Sequence, residues 1–118
     1  MLDATAPEQF GYSPWRHGGW YVENVRYPSG ACGCVSRNYE DRKWRIACDR
    51  RPFEEQPTFR NRDEAARAEW ELAEQMRRDS ESIVARVNSG EIDHDQALAE
   101  LKRVGWFEVS AAAYLKGN

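Results

Sequence analysis

The most reactive side chains in this 118-residue sequence belong to three cysteines and two histidines. Three thiolates and one imidazole would suit a tetrahedral zinc site. The candidate ligands are Cys32, Cys34, Cys48 and His17. The spacing argues against such a site, because paired zinc ligands usually have about two to four residues between them and Cys32 and Cys34 have only Gly33. An odd number of cysteines also fails to complete a disulfide framework. We therefore expect free thiols, no metal and no cofactor.

No arrangement typical of catalysis is evident in the sequence. His17 lies beside a glycine pair, and His94 lies in the first turn of a predicted helix, so neither falls in a nucleophile or metal motif. The carboxylates, Glu69 among them, fall mostly on predicted helix surfaces, where pairing with Arg or Lys accounts for them. No glycine-rich phosphate loop precedes a helix. The sequence therefore predicts that the protein is not an enzyme.

A second set of residues has the chemistry to bind a polyanion. Alternation along three predicted strands places basic, amide and aromatic side chains on one face of a sheet. The candidate nucleic-acid-binding residues are Arg26, Arg37, Lys43, Arg45, Trp20, Asn24 and Tyr39. Arginine and lysine contact phosphates, whereas amides and rings contact or stack on bases. DNA or RNA is the favoured partner, although the same residues would also suit the solvated face of an antiparallel sheet.

The strands that must position these residues are predicted from period-two alternation. They are Trp20–Tyr27, Ala31–Tyr39 and Lys43–Asp49, which would form an antiparallel meander. Pro28-Ser29-Gly30 has the composition of a hairpin turn, and a short charged loop joins the last two strands. The opposite face is expected to carry Tyr21, Val25, Trp44 and Ile46.

A long amphipathic helix is predicted to follow the sheet and pack on it. Asn61 is a favourable N-cap with Glu64 in the capping-box position, and the apolar stripe allows a break near Asp79 before Ser89-Gly90 ends the helix. A helical hairpin over Ile92–Leu115 is then expected, with a second capping box at its start. The predicted fold class is therefore α+β: a three-stranded antiparallel meander on a long helix, followed by a C-terminal helical hairpin.

Trp106 and Phe107 follow a glycine turn within the predicted hairpin. Two adjacent aromatic residues cannot easily both be buried in so small a unit. An exposed ring there would mark a patch for docking another protein or a second copy of the chain. The sequence therefore offers Trp106 and Phe107 as protein-interaction residues and a homodimer as one outcome.

Length and composition indicate one domain. The predicted organisation is a flexible arm over residues 1–14, a sheet-plus-helix unit over 15–79 and a helical extension over 80–118. No apolar run approaches the length of a membrane span, and the N-terminus lacks the features of a signal peptide. We therefore expect a cytoplasmic protein that does not engage membranes.

The net charge of -3 hides an asymmetry between the two halves of the chain. Residues 16–51 contain eight basic and four acidic residues, whereas residues 64–118 contain seven basic and eleven acidic ones. A basic sheet is therefore joined to an acidic helical half. Any polyanion binding is expected to be local to the sheet.

The helix-opening segment, Thr58-Phe59-Arg60-Asn61-Arg62-Asp63-Glu64-Ala65-Ala66-Arg67-Ala68, resembles a family pattern. It is similar to the sheet-plus-helix DNA-binding domains of plant ethylene-response factors and to the arm-binding domains of phage integrases. The resemblance covers about residues 20–73. It implies that Arg26, Arg37 and Arg45 read the major groove and that Phe59, Ala65 and Ala66 pack the helix on the sheet.

The C-terminal segment, from Gly90 to Leu115, resembles the short helical tails of small phage and plasmid proteins. Proteins of this kind often act on host machinery. The resemblance implies an alternative function as an anti-defence inhibitor, of the anti-CRISPR or anti-restriction type, that binds a host nuclease or a CRISPR effector subunit. In that case the partner is a protein, and the chain has no affinity for nucleic acid.

Overall fold

A computed structural model describes residues 5–118 as a four-stranded antiparallel sheet and three α-helices, which confirms the predicted α+β class. The strands follow chain order across the sheet: β1 (Tyr12–Trp15), β2 (Gly19–Arg26), β3 (Cys32–Ser36) and β4 (Arg45–Ile46). The helices are α1 (Arg62–Asn88), α2 (His94–Val104) and α3 (Glu108–Gly117). Among residues 5–118, no helix combines the length and apolar character needed to cross a membrane.

Strand β1 is an addition to the predicted three-stranded meander. Its first three residues lie in the segment predicted to be a flexible arm, and it pairs with β2 from Tyr12 opposite Val22 to Trp15 opposite Gly19. The sequence hides this strand because Pro14 lies within it, and proline is tolerated in a strand at the edge of a sheet. The first four residues of the predicted arm lie outside the described residues.

A bulge in β2 changes which residues face α1. Val22 pairs with Gly33, but Arg26 pairs with Cys32, so β2 has three extra residues between these two pairs. Bulges of this kind bend a strand and reset its alternation. As a result Val22 and Val25 are both buried under the helix, although strict alternation would place them on opposite faces.

Helix α1 begins where its cap dictates. The Asn61 side chain accepts a hydrogen bond from the Glu64 backbone N–H at 2.8 Å, which satisfies one donor of the first turn. The helix continues through Asp79 without a break. Its N-terminal half packs Ala65 and Ala66 against the valines of the sheet, since small side chains let the helix lie close.

The C-terminal half of α1 forms a second core with α2 and α3. The buried residues of this core are Ile83, Ala97, Leu101, Trp106 and Ala111. A capping box at Asp93 and Gln96 starts α2, and Gly105, with φ of 132°, ends it. The sheet is thus held by one half of α1, and the helical hairpin by the other.

Candidate nucleic-acid interface

Arg45 was predicted to be an exposed contact, and the structure shows it buried. Its side chain donates hydrogen bonds to Asp41 at 2.5 Å and to the backbone carbonyls of Phe53 and Gln56 at 3.3 and 3.4 Å. The guanidinium also lies 3.9 Å from the centre of the Phe53 ring. Arg45 faces away from α1, but the segment after β4 folds back over it. This arginine therefore holds a loop in place and is unavailable to a ligand.

Two more predicted contacts interact with other residues of the protein. The Trp20 ring is half-buried against the core, with the Arg62 guanidinium 4.8 Å from its centre, because its cross-strand partner Val35 faces α1. The Asn24 side chain lies in the bulge and accepts a hydrogen bond from the Gly11 backbone N–H. The Trp20 ring therefore does not belong to an open sheet face, whereas Asn24 is exposed but already bonded to Gly11.

Arg26 and Arg37 are both exposed, but they lie at opposite ends of the sheet. Arg26 ends β2, whereas Arg37 follows Ser36, which pairs with Gly19 at the start of β2. The length of β2 separates them by on the order of 20 Å. The predicted arginine face is therefore not a single surface, and Arg37 belongs with a different group of cations.

That group forms what we call the cationic end of the sheet. The β1–β2 turn and the β3–β4 loop meet there and carry four exposed basic residues: Arg16, Arg37, Arg42 and Lys43. None of the four forms a salt bridge with any residue from 5 to 118. Of the two carboxylates in the β3–β4 loop, Asp41 is already paired with Arg45. Its pKa is lowered, first by the Lys43 backbone N–H and then by the Arg45 side chain.

A small cleft, which we call the aromatic cleft, opens at the cationic end and encloses about 160 Å³. Trp15 and Tyr39 provide its aromatic lining, and the small residues Ser36 and Ala47 also line it. Tyr39 is half-buried, with its ring centre 6.0 Å from that of Phe53. Sequence reasoning identified Tyr39 but missed Trp15, because β1 was not predicted.

His17, the only imidazole near this cleft, lies in the β1–β2 turn and is exposed. It has a φ of 61°, a left-handed conformation that only a few per cent of non-glycine residues adopt. Nowhere in residues 5–118 do three or more His, Cys, Asp or Glu side chains group as metal ligands would. The three cysteines are free thiols: Cys34 is buried, Cys32 half-buried and Cys48 exposed.

Glu69 was placed on the helix surface from the sequence, but it is fully buried between α1 and the sheet. Its Oε2 accepts a hydrogen bond from the Tyr27 hydroxyl at 2.7 Å, and its Oε1 has no partner of hydrogen-bonding geometry among the described residues. Burial raises the pKa of Glu69 to about 7 and that of Tyr27 above its usual value. With no exposed surface, this carboxyl group is a feature of the core and not of the site.

The two predicted protein-interaction residues differ in exposure. Trp106 is 4% exposed, stacks on Tyr114, and donates its indole N–H to Ser80 Oγ at 2.9 Å. Phe107 is 76% exposed and lies two residues before Val109, which is also exposed. Trp106 is therefore a core residue, and only Phe107 remains a candidate for contact with another protein.

Comparison with known proteins does not extend this description. No protein-family model matches the chain, and no curated protein or solved structure matches it significantly. The geometry and charge of the site are therefore what indicate a function.

Proposed function

We propose that this protein is a non-enzymatic nucleic-acid-binding protein and that it holds the phosphate backbone at the cationic end of its sheet. The observation that carries the proposal is the group of four exposed cations that have no carboxylate partner among residues 5–118. Two of them, Arg37 and Lys43, were predicted from the sequence, and Arg16 and Arg42 join them through the fold. Arg26 contributes at most a separate contact at the far end of β2.

Two arginines of the long helix differ from this group because carboxylates pair with them. In α1, Arg77 bridges Glu74 and Glu81, and Arg86 bridges Glu91 and Glu100. In ion pairs of this kind the carboxylates offset the positive charge, so the electrostatic attraction for a polyanion is weak. The four cations of the cationic end form no such ion pair with residues 5–118, so binding there releases counterions from the nucleic acid and is sensitive to salt.

The cellular setting is part of the proposal. We place the protein in the cytoplasm of a bacterial cell, as a product of a mobile element. This rests on the similarity of its C-terminal segment to the tails of small phage and plasmid proteins. A nucleic-acid-binding role in that setting needs no bound cofactor.

A charge-matched pair of variants tests the proposal. The site variant combines Arg16→Ala, Arg37→Ala and Lys43→Ala, at exposed positions that form no salt bridge within the described part of the chain. The control combines Arg78→Ala, Arg103→Ala and Lys116→Ala, which remove the same charge from the helices. The probe is an oligothymidylate of about 16 nucleotides, which covers the footprint of one small domain. The site variant should flatten the plot of log affinity against log salt by about 2, since each lost phosphate contact removes about 0.7.

The control variant should keep the wild-type slope. Equal losses in the two variants would mean that only overall charge matters, and an unchanged site variant would place binding elsewhere. Arg45 is left intact in both variants because its removal would disturb the fold.

The second candidate function is the anti-defence inhibitor, and the exposure of Phe107 and Val109 favours it. An exposed aromatic beside an exposed aliphatic residue is the kind of anchor that protein interfaces use. A stoichiometric complex between purified protein and a nuclease, lost on Phe107→Ser and retained in nuclease-treated samples, would support it. In that event the oligothymidylate should not bind at all.

A further inference from the structure

The two aromatic rings that line the aromatic cleft are held in place by the residues packed against them. The Trp15 ring lies directly over Gly19, where a Cβ atom would come within 2.5 Å of it, and its centre is 6.2 Å from that of Tyr21. The Tyr39 ring has the Arg45 guanidinium 5.6 Å from its centre, in addition to Phe53. The rings are therefore positioned before any ligand arrives, which lowers the entropic cost of binding.

The turns that carry these rings are also tightly closed. The Gly19 backbone N–H donates to the Arg16 carbonyl at 3.3 Å across a turn in which His17 is left-handed. The Arg42 backbone N–H donates to the Tyr39 carbonyl at 3.0 Å, and Arg42 is left-handed as well. Left-handed non-glycine residues are strained and cluster at functional sites. Two such turns border a single cleft.

The remaining lining adds polar groups to this apolar slot. Asn38 is exposed, and its side-chain amide can donate and accept hydrogen bonds as the edge of a base does. Its backbone N–H donates to Ser36 Oγ at 3.0 Å, which fixes the loop that carries it. Arg16 lies with its guanidinium 5.8 Å from the centre of the Trp15 ring, which places a cation beside the cleft.

We infer that the aromatic cleft takes one unpaired base of a single-stranded nucleic acid, a specificity that rests on the proposed function. Rings that stack on a base require the base to be splayed out of a helix, which single strands allow and duplexes resist. The cations of the cationic end then hold the flanking phosphates. The protein is therefore selective for single strands, without reading a long sequence.

Three probes of equal length distinguish the contribution of the base to affinity from that of the phosphate backbone. They are oligothymidylate, an abasic strand with the same phosphates, and a duplex. The oligothymidylate should bind about tenfold more tightly than the abasic strand, as expected when one stacked base is lost. Trp15→Leu should abolish that difference, so that the two strands bind the variant with equal affinity. The abasic strand serves as the control on the ligand side, so the comparison holds even if the variant is less stable.

The outcomes distinguish this inference from the function on which it rests. In one outcome the abasic strand or the duplex binds as tightly as oligothymidylate, with the same dependence on salt. Either result overturns the aromatic cleft as a base site and leaves phosphate binding in place. No binding of any of the three probes overturns the proposed function itself. Loss of affinity for both strands in Trp15→Leu, with the ratio intact, also contradicts the inference.

Discussion

The buried carboxyl group of Glu69 makes the stability of this protein depend on pH. Because burial raises its pKa from 4.5 to about 7, the folded state keeps a proton that the unfolded state releases. The stabilisation that this bound proton gives the folded state is complete below pH 4.5 and is lost as pH rises to about 7. The shift corresponds to about 3 kcal/mol of unfolding free energy. Glu69→Gln keeps a neutral side chain that can still accept from Tyr27, so the variant should not show this loss.

The groups around Glu69 do not obscure the effect. Burial raises the pKa of Cys34 to about 12, and the pKa values of Tyr27 and Cys48 are also raised, so all three remain neutral over this range. For Asp49, burial raises the pKa, but hydrogen bonds from Arg51 outweigh it and the net shift is downward. Asp49 therefore stays ionised. Glu69 is the group beside this part of the sheet that titrates near neutrality.

Urea denaturation of the wild type and of Glu69→Gln at a series of pH values measures the effect. The difference in unfolding free energy should change by about 3 kcal/mol in favour of the variant between pH 4.5 and values above 7. Titrating groups shared by the two proteins cancel in this difference. A constant difference across the range would show that Glu69 does not hold its proton in the folded state.

Two further predictions concern packing around the same helix. Gly33→Ala should lower the unfolding free energy measured in urea by about 1–3 kcal/mol, because its Cβ would lie 2.6 Å from Glu69 Oε1. Gly117→Ala is the control, because a Cβ there meets no atom within 4 Å. Equal effects of the two substitutions would refute the reasoning. Ser80→Ala should cost about 1–3 kcal/mol, because the buried indole N–H of Trp106 loses its acceptor. An unchanged midpoint would show that this hydrogen bond contributes nothing.

The helices show which features a sequence can predict. Local signals set their ends, so the Asn61 cap and the capping box at Asp93 could be read from residue types at short spacing. Nothing in such signals reports that a proline-containing edge strand will pair with β2. The extra strand, in turn, brings Trp15 and Arg16 to the site.

The sheet face shows where the prediction fails. Period-two alternation assumes a regular strand, and the bulge after Val22 breaks that assumption, so Trp20 and Val25 share the helix side. Arg45 was misassigned for a different reason. Alternation gave its side of the sheet correctly, but only the fold shows that the loop around Phe53 covers that side. Arg37 and Lys43 remained exposed because their loop extends beyond the sheet.

The central claim is that nucleic acid binds at the cationic end of the sheet, and mapping the backbone amides that respond to oligothymidylate tests it most directly. In a titration followed by two-dimensional NMR, the largest chemical-shift changes should fall in residues 15–19 and 37–44. Residues of α2 and α3 should be unaffected. Changes centred on Arg26 or on Phe107, with residues 15–19 and 37–44 silent, would contradict the account.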